Sequence, residues 1–233
     1  MTKTNGAIEI NNLEFSYSDK PVLKIKSLSI MKEDSIFLYG PSGSGKTTLL
    51  NLLLGTHLPQ KGSLNLLGHD FFTLSSLERD QLRGELVGAI FQSFNLIPFL
   101  TVEENILLPI KINKKRASRI QNLNEELELL LDHLKLKQIK NQPAKSLSIG
   151  QQQRVAAARS LIGSPEIIIA DEPTSALDYD HKEAFVELLM KEKERTKSTL
   201  VFVSHDHSMK KLFSKEIHLP TLNEVKLTNE EWL

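Results

Sequence analysis

Gly40-Pro41-Ser42-Gly43-Ser44-Gly45-Lys46-Thr47-Thr48 follows the apolar run Ser35-Ile36-Phe37-Leu38-Tyr39 and leads into Leu49-Leu50-Asn51-Leu52-Leu53-Leu54. Strand, glycine-rich loop and helix in that order are the context in which G-x-x-x-x-G-K-[ST] cradles phosphate. Glycines let the backbone wrap closely and turn its N–H groups inward, and the following helix adds its positive N-terminal dipole. Lys46 is placed to reach the β- and γ-phosphates, and the Thr47 hydroxyl to ligate Mg²⁺. The stretch implies a nucleoside triphosphate site.

Composition narrows the class around that site. The 233 residues suffice for one large domain, or one with a subdomain, around a substantial core. Lys and Arg number 29 and Asp and Glu 29, so no global field argues for nucleic acid as a partner. The chain has no cysteine, which excludes disulfides, thiolate metal sites and cysteine nucleophiles. The polar start Met1-Thr2-Lys3-Thr4-Asn5-Gly6 does not read as a signal peptide, and no run of ~18 apolar residues reads as a membrane span. A soluble cytoplasmic protein, reaching a membrane only through a partner, is the expectation.

On the N-terminal side, Ala7 to Tyr17 and Val22 to Ile30 alternate apolar and polar across the turn Ser18-Asp19-Lys20-Pro21, predicting an antiparallel sheet. Tyr17, at a strand end, reads either as sheet packing or as a platform for a nucleobase. Beyond the loop, Gly62 to Asp70 predicts a strand closed by a turn. Ser75-x-x-Glu78 has capping-box spacing and opens a short helix ending near Arg83-Gly84. Leu86 to Phe91 predicts a buried strand that delivers Gln92 at its C-terminal end, where ligands sit in open α/β sheets.

From about residue 95 to 160 the pattern turns helical. Thr101-x-x-Glu104 is a second capping box, and Leu123, Leu127, Leu130, Leu131 and Leu134 recur at helical spacing. The basic stretch Lys111 to Arg119 reads as a solvated loop or helix end, with phospholipid headgroups as a lesser possibility. Ser148-x-x-Gln151 is a third capping box, and a capped helix start also suits an anion.

Glu166-Ile167-Ile168-Ile169-Ala170-Asp171-Glu172 reads as a buried parallel strand ending in two carboxylates, one suited to Mg²⁺ and the other to a nucleophilic water. Alternation along a strand points the two to opposite faces. A helix from about Asp180 to Arg195 and a strand Ser198 to Val203 follow, the strand ending in Ser204-His205-Asp206. No second ligand cluster supports a metal site at His205, Asp206 and His207. Glu216 to Leu219 and Glu224 to Leu227 predict a short strand pair. Strands alternating with helices after residue 35 imply a mainly parallel, doubly wound sheet.

Taken together, these residues resemble the nucleotide-binding subunit of ABC transporters, from about Ala7 to Leu219. The motifs fall in that family's order: Gly40 to Thr47, the glutamine loop Phe91 to Leu96, the signature Leu147-Ser148-Ile149-Gly150-Gln151, Ile167 to Glu172, Ser175-Ala176-Leu177-Asp178, and His205. The resemblance implies an α/β P-loop NTPase core with a mainly parallel sheet, an N-terminal antiparallel β-subdomain and an inserted α-helical subdomain, all in one ATPase domain over residues 1–233. It implies ATP and Mg²⁺ as cofactors and an Mg-dependent ATP hydrolase as the activity. Tyr17 would stack on adenine; Gly40 to Thr48 would hold the phosphates; Thr47, Gln92 and Asp171 would surround Mg²⁺. Glu172 resembles the catalytic base, and His205 the residue contacting the γ-phosphate, with Lys46 and Gln92 assisting. Ser148, Gly150 and Gln151 would complete the site of a second copy in an ATP-dependent head-to-tail homodimer.

The sequence departs from the family in one motif position: Ile149 stands where glycine is usual. A β-branched residue disfavours positive φ, so the signature must be strain-free there or rearranged. Ile90 to Pro98 and Val102 to Pro109 look like the branch of lipoprotein-release, macrolide-efflux and peptide-export ATPases. That resemblance implies a transmembrane permease as partner and a location on the inner face of the cell membrane. An alternative of another class is a mechanotransmitting complex acting on cell-wall enzymes.

Overall fold

The protein is described from a computed structural model, over residues 6–177 and 179–225. Strand β1 (Gly6–Tyr17) pairs antiparallel with β2 (Lys20–Met31). Its inward residues are Ile8, Ile10, Leu13 and Phe15. The step from Ile10 to Leu13 breaks simple alternation, and the break is accommodated at Asn12, where φ is 47° and the register with its other neighbour shifts. This bulge keeps both apolar pairs on the core face. Strand β3 (Ser35–Tyr39) then enters the second sheet and hands the chain through residues 40–45 to helix α1 (Lys46–Leu53).

Strand β4 (Lys61–Leu66) returns to the first sheet beside β1, and β5 (His69–Asp70) closes that sheet, giving the order β2-β1-β4-β5. Helix α2 (Ser76–Leu86) starts with the expected Ser75–Glu78 box but runs to Leu86, past Gly84. The expected helix end at Arg83-Gly84 is therefore corrected: Val87, in extended conformation, ends the helix by opening strand β6 (Val87–Ile90).

Helices α3 (Val102–Ile112), α4 (Lys114–Ala117), α5 (Leu123–His133) and α6 (Ile149–Leu161) form the inserted helical region. Strand β7 (Ile167–Asp171), helix α7 (Tyr179–Thr196), strand β8 (Thr199–Val203), strand β9 (Lys215–His218) and helix α8 (Leu219–Leu222) complete the chain.

The five strands β6-β7-β8-β3-β9 form a wholly parallel sheet. Its two faces explain the unbroken apolar runs in the sequence. Ile36, Leu38, Ile167, Ile169, Val201 and Val203 face α1 and the antiparallel sheet, whereas Phe37, Ile168, Ala170, Leu200 and Phe202 face the helices of the insertion and α7. The sheet is thus a partition between two cores. Because every strand runs the same way, the loops after β6, β7, β8 and β3 emerge along one edge.

Two expectations fail at the margins. Strand β9 pairs in parallel with β3, not with a following strand, and residues 219–222 are helical. The Ser35 and Ser214 side chains and backbones exchange hydrogen bonds that seat β9 beside β3. Residues 226 and 227 of the expected partner strand lie outside the described residues, and Glu224 and Val225 are not in a strand.

The basic stretch Lys111 to Arg119 is not wholly solvated, because Arg116 is only 2 % exposed. Its Nε donates to Ile162 O (2.8 Å), Nη1 to Val87 O (3.0 Å) and Nη2 to Ser160 O (2.5 Å). One guanidinium thereby satisfies carbonyls at the end of α6 and the start of β6, where no ladder partner is available. Burial, and then the neighbouring Arg119 charge, push the Arg116 pKa down to about 10. Arg116→Ala should cost about 2–4 kcal/mol in chemical denaturation, since it strands buried carbonyls. A loss well under ~1 kcal/mol would show that water replaces the guanidinium.

Candidate ATP site

The phosphate loop is built by two left-handed glycines and an uncapped helix. Gly43 and Gly45 have φ of 77° and 95°. Gly45 is the N-cap of α1 and offers no side chain to the first-turn amides, which leaves them for an anion. A Cβ at Gly45 would come within 2.8 Å of Leu23 Cδ2, so the loop also fits tightly against β2. Lys46 is 7 % exposed and folds back to donate to the carbonyls of Gly40 (2.9 Å) and Pro41 (3.0 Å). Burial lowers its pKa, opposed by the nearby Glu172 and Asp171 carboxylates. Ser44 Oγ is buried with no hydrogen-bond partner in the protein. A buried hydroxyl without a partner calls for an explanation such as a ligand, and a phosphate oxygen is the partner this cradle fits. Pro41, Ser42 and Thr47 are exposed, and Thr48 is buried.

Tyr17, 47 % exposed, borders a pocket of about 180 Å³ with Val22, Gly43, Gly45, Lys46, Thr47 and Thr48. Its ring is braced nearly perpendicular to Phe15 (4.9 Å, 89°) and His57 (5.7 Å, 83°). Of the two readings open at Tyr17, the structure supplies the features of both: an aromatic packed at its edge and a ring beside the phosphate loop. His57 went unnoticed in the sequence because a lone histidine after a helix carries no pattern.

Asp171 ends β7. Its pKa is raised by burial and then by the charge of Glu172, against the opposing influence of Lys46 and His205. Glu172 is not a continuation of the strand: φ is 43°, and its N–H donates to Val203 O (3.0 Å). The expectation that simple strand alternation separates Asp171 and Glu172 is corrected accordingly. A left-handed turn, braced on β8, redirects Glu172, and such strain in a non-glycine residue gathers at functional sites. Glu172 Oε1 lies 2.5 Å from His205 Nε2, the histidine arriving from the end of β8. A carboxylate can only accept, so this ring nitrogen donates.

Asp206 is engaged elsewhere. It accepts from Ser208 and pairs with Lys182 at 2.9 Å, contacts that in that order hold its pKa down to about 2. Among the described residues no cluster of His, Asp and Glu has the makings of a standing metal site.

Gln92 follows β6 and is exposed; two residues on, Phe94 N–H donates to Phe91 O (2.9 Å). Lys46, Asp171, Glu172 and His205 are therefore linked electrostatically or by contact, with Gln92 on the same sheet edge. The signature residues stand apart. Ser148 Oγ accepts from Gln151 N–H (3.4 Å), and Gln151 Oε1 accepts from Ser148 N–H (2.8 Å), completing the capping box of α6. A Cβ at Gly150 would meet only Leu177 Cδ2, at 3.9 Å, within 4 Å. Among the described residues, no hydrogen bond or ion pair joins Ser148, Gly150 or Gln151 to residues 40–48. Asp178, quoted with the loop after Glu172, lies outside the described residues.

Ile149 is the first residue of α6, is 52 % exposed, and is not among the residues of positive φ. The signature is strain-free with isoleucine because this position is ordinary helix. Asn105, which no sequence pattern singles out, also shapes this edge of the sheet. Fully buried on α3, it accepts from Ile97 N–H and donates to the carbonyls of Ile97, Leu100 and Thr101, fixing the segment after the glutamine loop.

A parallel sheet whose first crossover is a glycine-rich loop capped by an anion-binding helix, with carboxylates on the adjacent strand ends, defines a P-loop nucleotide-binding protein. The model of the ABC transporter family matches residues 23–175. The chain belongs to that family. It is 33% identical over 219 residues to the lipoprotein-releasing system ATP-binding protein LolD of Leptospira interrogans, covering 94% of this chain and 91% of that one. It is 38% identical over 205 residues to the bacitracin export ATP-binding protein BceA of Halalkalibacterium halodurans, covering 85% and 79%. Among solved structures, it is similar to the dimeric post-hydrolysis state of the ATP-binding cassette MJ0796 bound to ADP and Pi. That match has a TM-score of 0.78 at 32% identity, covering 91% of this chain and 93% of the other.

Proposed function

We propose that the chain binds Mg-ATP at residues 40–48 and hydrolyses it within an ATP-dependent head-to-tail homodimer that powers a membrane permease. The observation that carries this reading is the Glu172–His205 contact at 2.5 Å beside Lys46 and Asp171. Lys46 exchanges its two backbone acceptors for β- and γ-phosphate oxygens, with little change in burial. The amides of Gly43 to Thr48 take the remaining oxygens, and Tyr17 stacks on the base. Thr47, Gln92 and Asp171 would hold magnesium, which neutralises charge on the phosphates. Glu172, oriented by the His205 N–H, takes a proton from water as that oxygen bonds to the γ-phosphorus and the β–γ bridging oxygen leaves on ADP. His205 also faces the γ-phosphate.

Among the described residues Ser148, Gly150 and Gln151 make no hydrogen bond or ion pair with residues 40–48, and in the proposed dimer they would instead close the site of a second copy. The MJ0796 cassette, similar over nearly the whole chain, is dimeric with ADP and Pi bound, which supports a dimer here. For the permease, the supporting feature is a groove of about 690 Å³ between the parallel-sheet core and α3, with Ile112, 75 % exposed, among its lining residues. Among the described residues no helix is long and apolar enough to cross a membrane itself. We assign the direction as export or extrusion of a lipophilic or peptide substrate, supported by the export and lipoprotein-release names of the relatives above. The peripheral, inner-face location follows from that reading.

The test is Mg-dependent phosphate release by the purified chain, together with co-purification of a permease from detergent-solubilised membranes. Absence of release would refute the hydrolase, and absence of any permease would refute the transport reading. Ile149→Gly should preserve or raise the rate, since isoleucine occupies an unstrained helical position; a large loss would make the isoleucine a required specialisation. Helix-start glycine should meanwhile cost at most about 1 kcal/mol of stability, measured by denaturation.

A further inference from the structure

Helix α6 carries Ser148 at its N-cap and Arg159 in its last turn, roughly 16 Å away along the axis. The Arg159 guanidinium leaves the helix for the glutamine loop, where Nη1 donates to Asn95 O (2.7 Å) and Nη2 to Phe94 O (2.5 Å). Both acceptors belong to residues of positive φ, 58° at Phe94 and 48° at Asn95. For a bulky residue such as Phe94 that conformation persists only where the surroundings over-determine it. The phenyl ring is buried in the core, and the guanidinium fork clamps the two consecutive carbonyls. Among the described residues no carboxylate pairs with Arg159, and burial pushes its pKa down. Its charge is therefore committed to the loop backbone. A lysine could not span both carbonyls with a fixed fork.

We propose that Arg159 is a positioning residue that ties the glutamine loop to the signature helix, holding Gln92 in place and linking the two ATP sites of the dimer. This rests on the head-to-tail reading above, in which Gln92 serves the chain's own nucleotide and Ser148 that of the second copy. The tether joins those two duties within one subunit. α6 is in turn seated on β6, where a Cβ at Gly88 would come within 2.2 Å of Ser160 O. A shift of the glutamine loop on ligation is thus passed to α6 through Arg159, since Gln92 lies two residues before the first clamped carbonyl.

The test compares wild type, Arg159→Gln and Arg159→Lys as full chains. In the ligand-free protein, hydrogen–deuterium exchange at the amides of residues 93–96 should accelerate in Arg159→Gln and partly recover in Arg159→Lys. In ATP titrations, Arg159→Gln should lower kcat and raise the Mg²⁺ needed for half-maximal rate, each by about 10-fold, as loss of an outer-shell partner does. KM for ATP should move far less, since residues 40–48 are untouched, and the Hill coefficient for ATP should fall toward one. Unchanged exchange at 93–96 in a folded variant overturns the tether, and unchanged cooperativity overturns the link between sites. If Arg159→Gln does not fold, Arg159→Lys decides by the same readings. A wild-type chain that binds no ATP overturns the functional reading, while the ligand-free exchange rates still decide the tether.

Discussion

Glu172→Gln should bind ATP, stop turning it over, and accumulate as a dimer. The substitution keeps the shape of the side chain and its ability to accept from His205, which lies 2.5 Å away. It removes the carboxylate proposed as the acceptor of the attacking water's proton. General-base removal costs about 10²–10⁴-fold in rate. With hydrolysis blocked, ATP stays bound at the proposed interface, and loss of the Glu172 charge lowers repulsion against its phosphates. Size-exclusion chromatography of the variant with ATP should show a species of twice the 26.3 kDa chain. Wild-type turnover in this variant would show that Glu172 is not the base.

Lys46→Ala should abolish ATP binding without harming the fold. Each charge-assisted hydrogen bond lost to a phosphate is worth about 1.5–3 kcal/mol, so two such bonds correspond to at least about 10²-fold in affinity. Stability should change little, because opposing effects meet at this side chain. Burial holds the Lys46 pKa below its unfolded value, so the fold disfavours the charged lysine. For a cation with a lowered pKa, that penalty is present at all pH values below the folded pKa and fades as pH rises through it. Against that relief, the variant loses the Lys46 hydrogen bonds to the Gly40 and Pro41 carbonyls and a counter-charge for Asp171 and Glu172, so the ligand-free thermal midpoint should change little. A markedly lower midpoint would mean that the lysine serves structure before it serves nucleotide.

Much of this was legible in the sequence because the physics is local. The phosphate loop needs glycines at fixed spacing, and Gly43 and Gly45 indeed take the left-handed conformation that such a loop requires. The run Ile167 to Ala170 announces a strand with two buried faces, and Ser75, Thr101 and Ser148 each form the capping box that their spacing implies.

What escaped was set by distant partners. Arg116 sits in a basic stretch and looks solvated, yet its three carbonyl acceptors come from Val87, Ser160 and Ile162. Arg159 looks like the polar face of a helix until the glutamine loop meets it. Glu172 looks like the next residue of a strand, and only its bond to Val203 shows that the backbone has turned. Strand β9 joins the sheet through Ser35, far away in the chain, so local pairing logic misplaces its partner.

If residues 40–48 are half of a site completed by Ser148 and Gly150 of a second copy, position 42 of one chain comes close to position 149 of the other. The chain contains no cysteine, so single introduced thiols report contacts without ambiguity. Ser42 and Ile149 are both exposed, so Ser42→Cys chains are mixed with Ile149→Cys chains and treated with a short bis-maleimide. With ATP, a crosslinked heterodimer of the two variants should form, and it should disappear when nucleotide is omitted. Crosslinks only between two Ile149→Cys copies, or none with saturating ATP, would contradict the head-to-tail site.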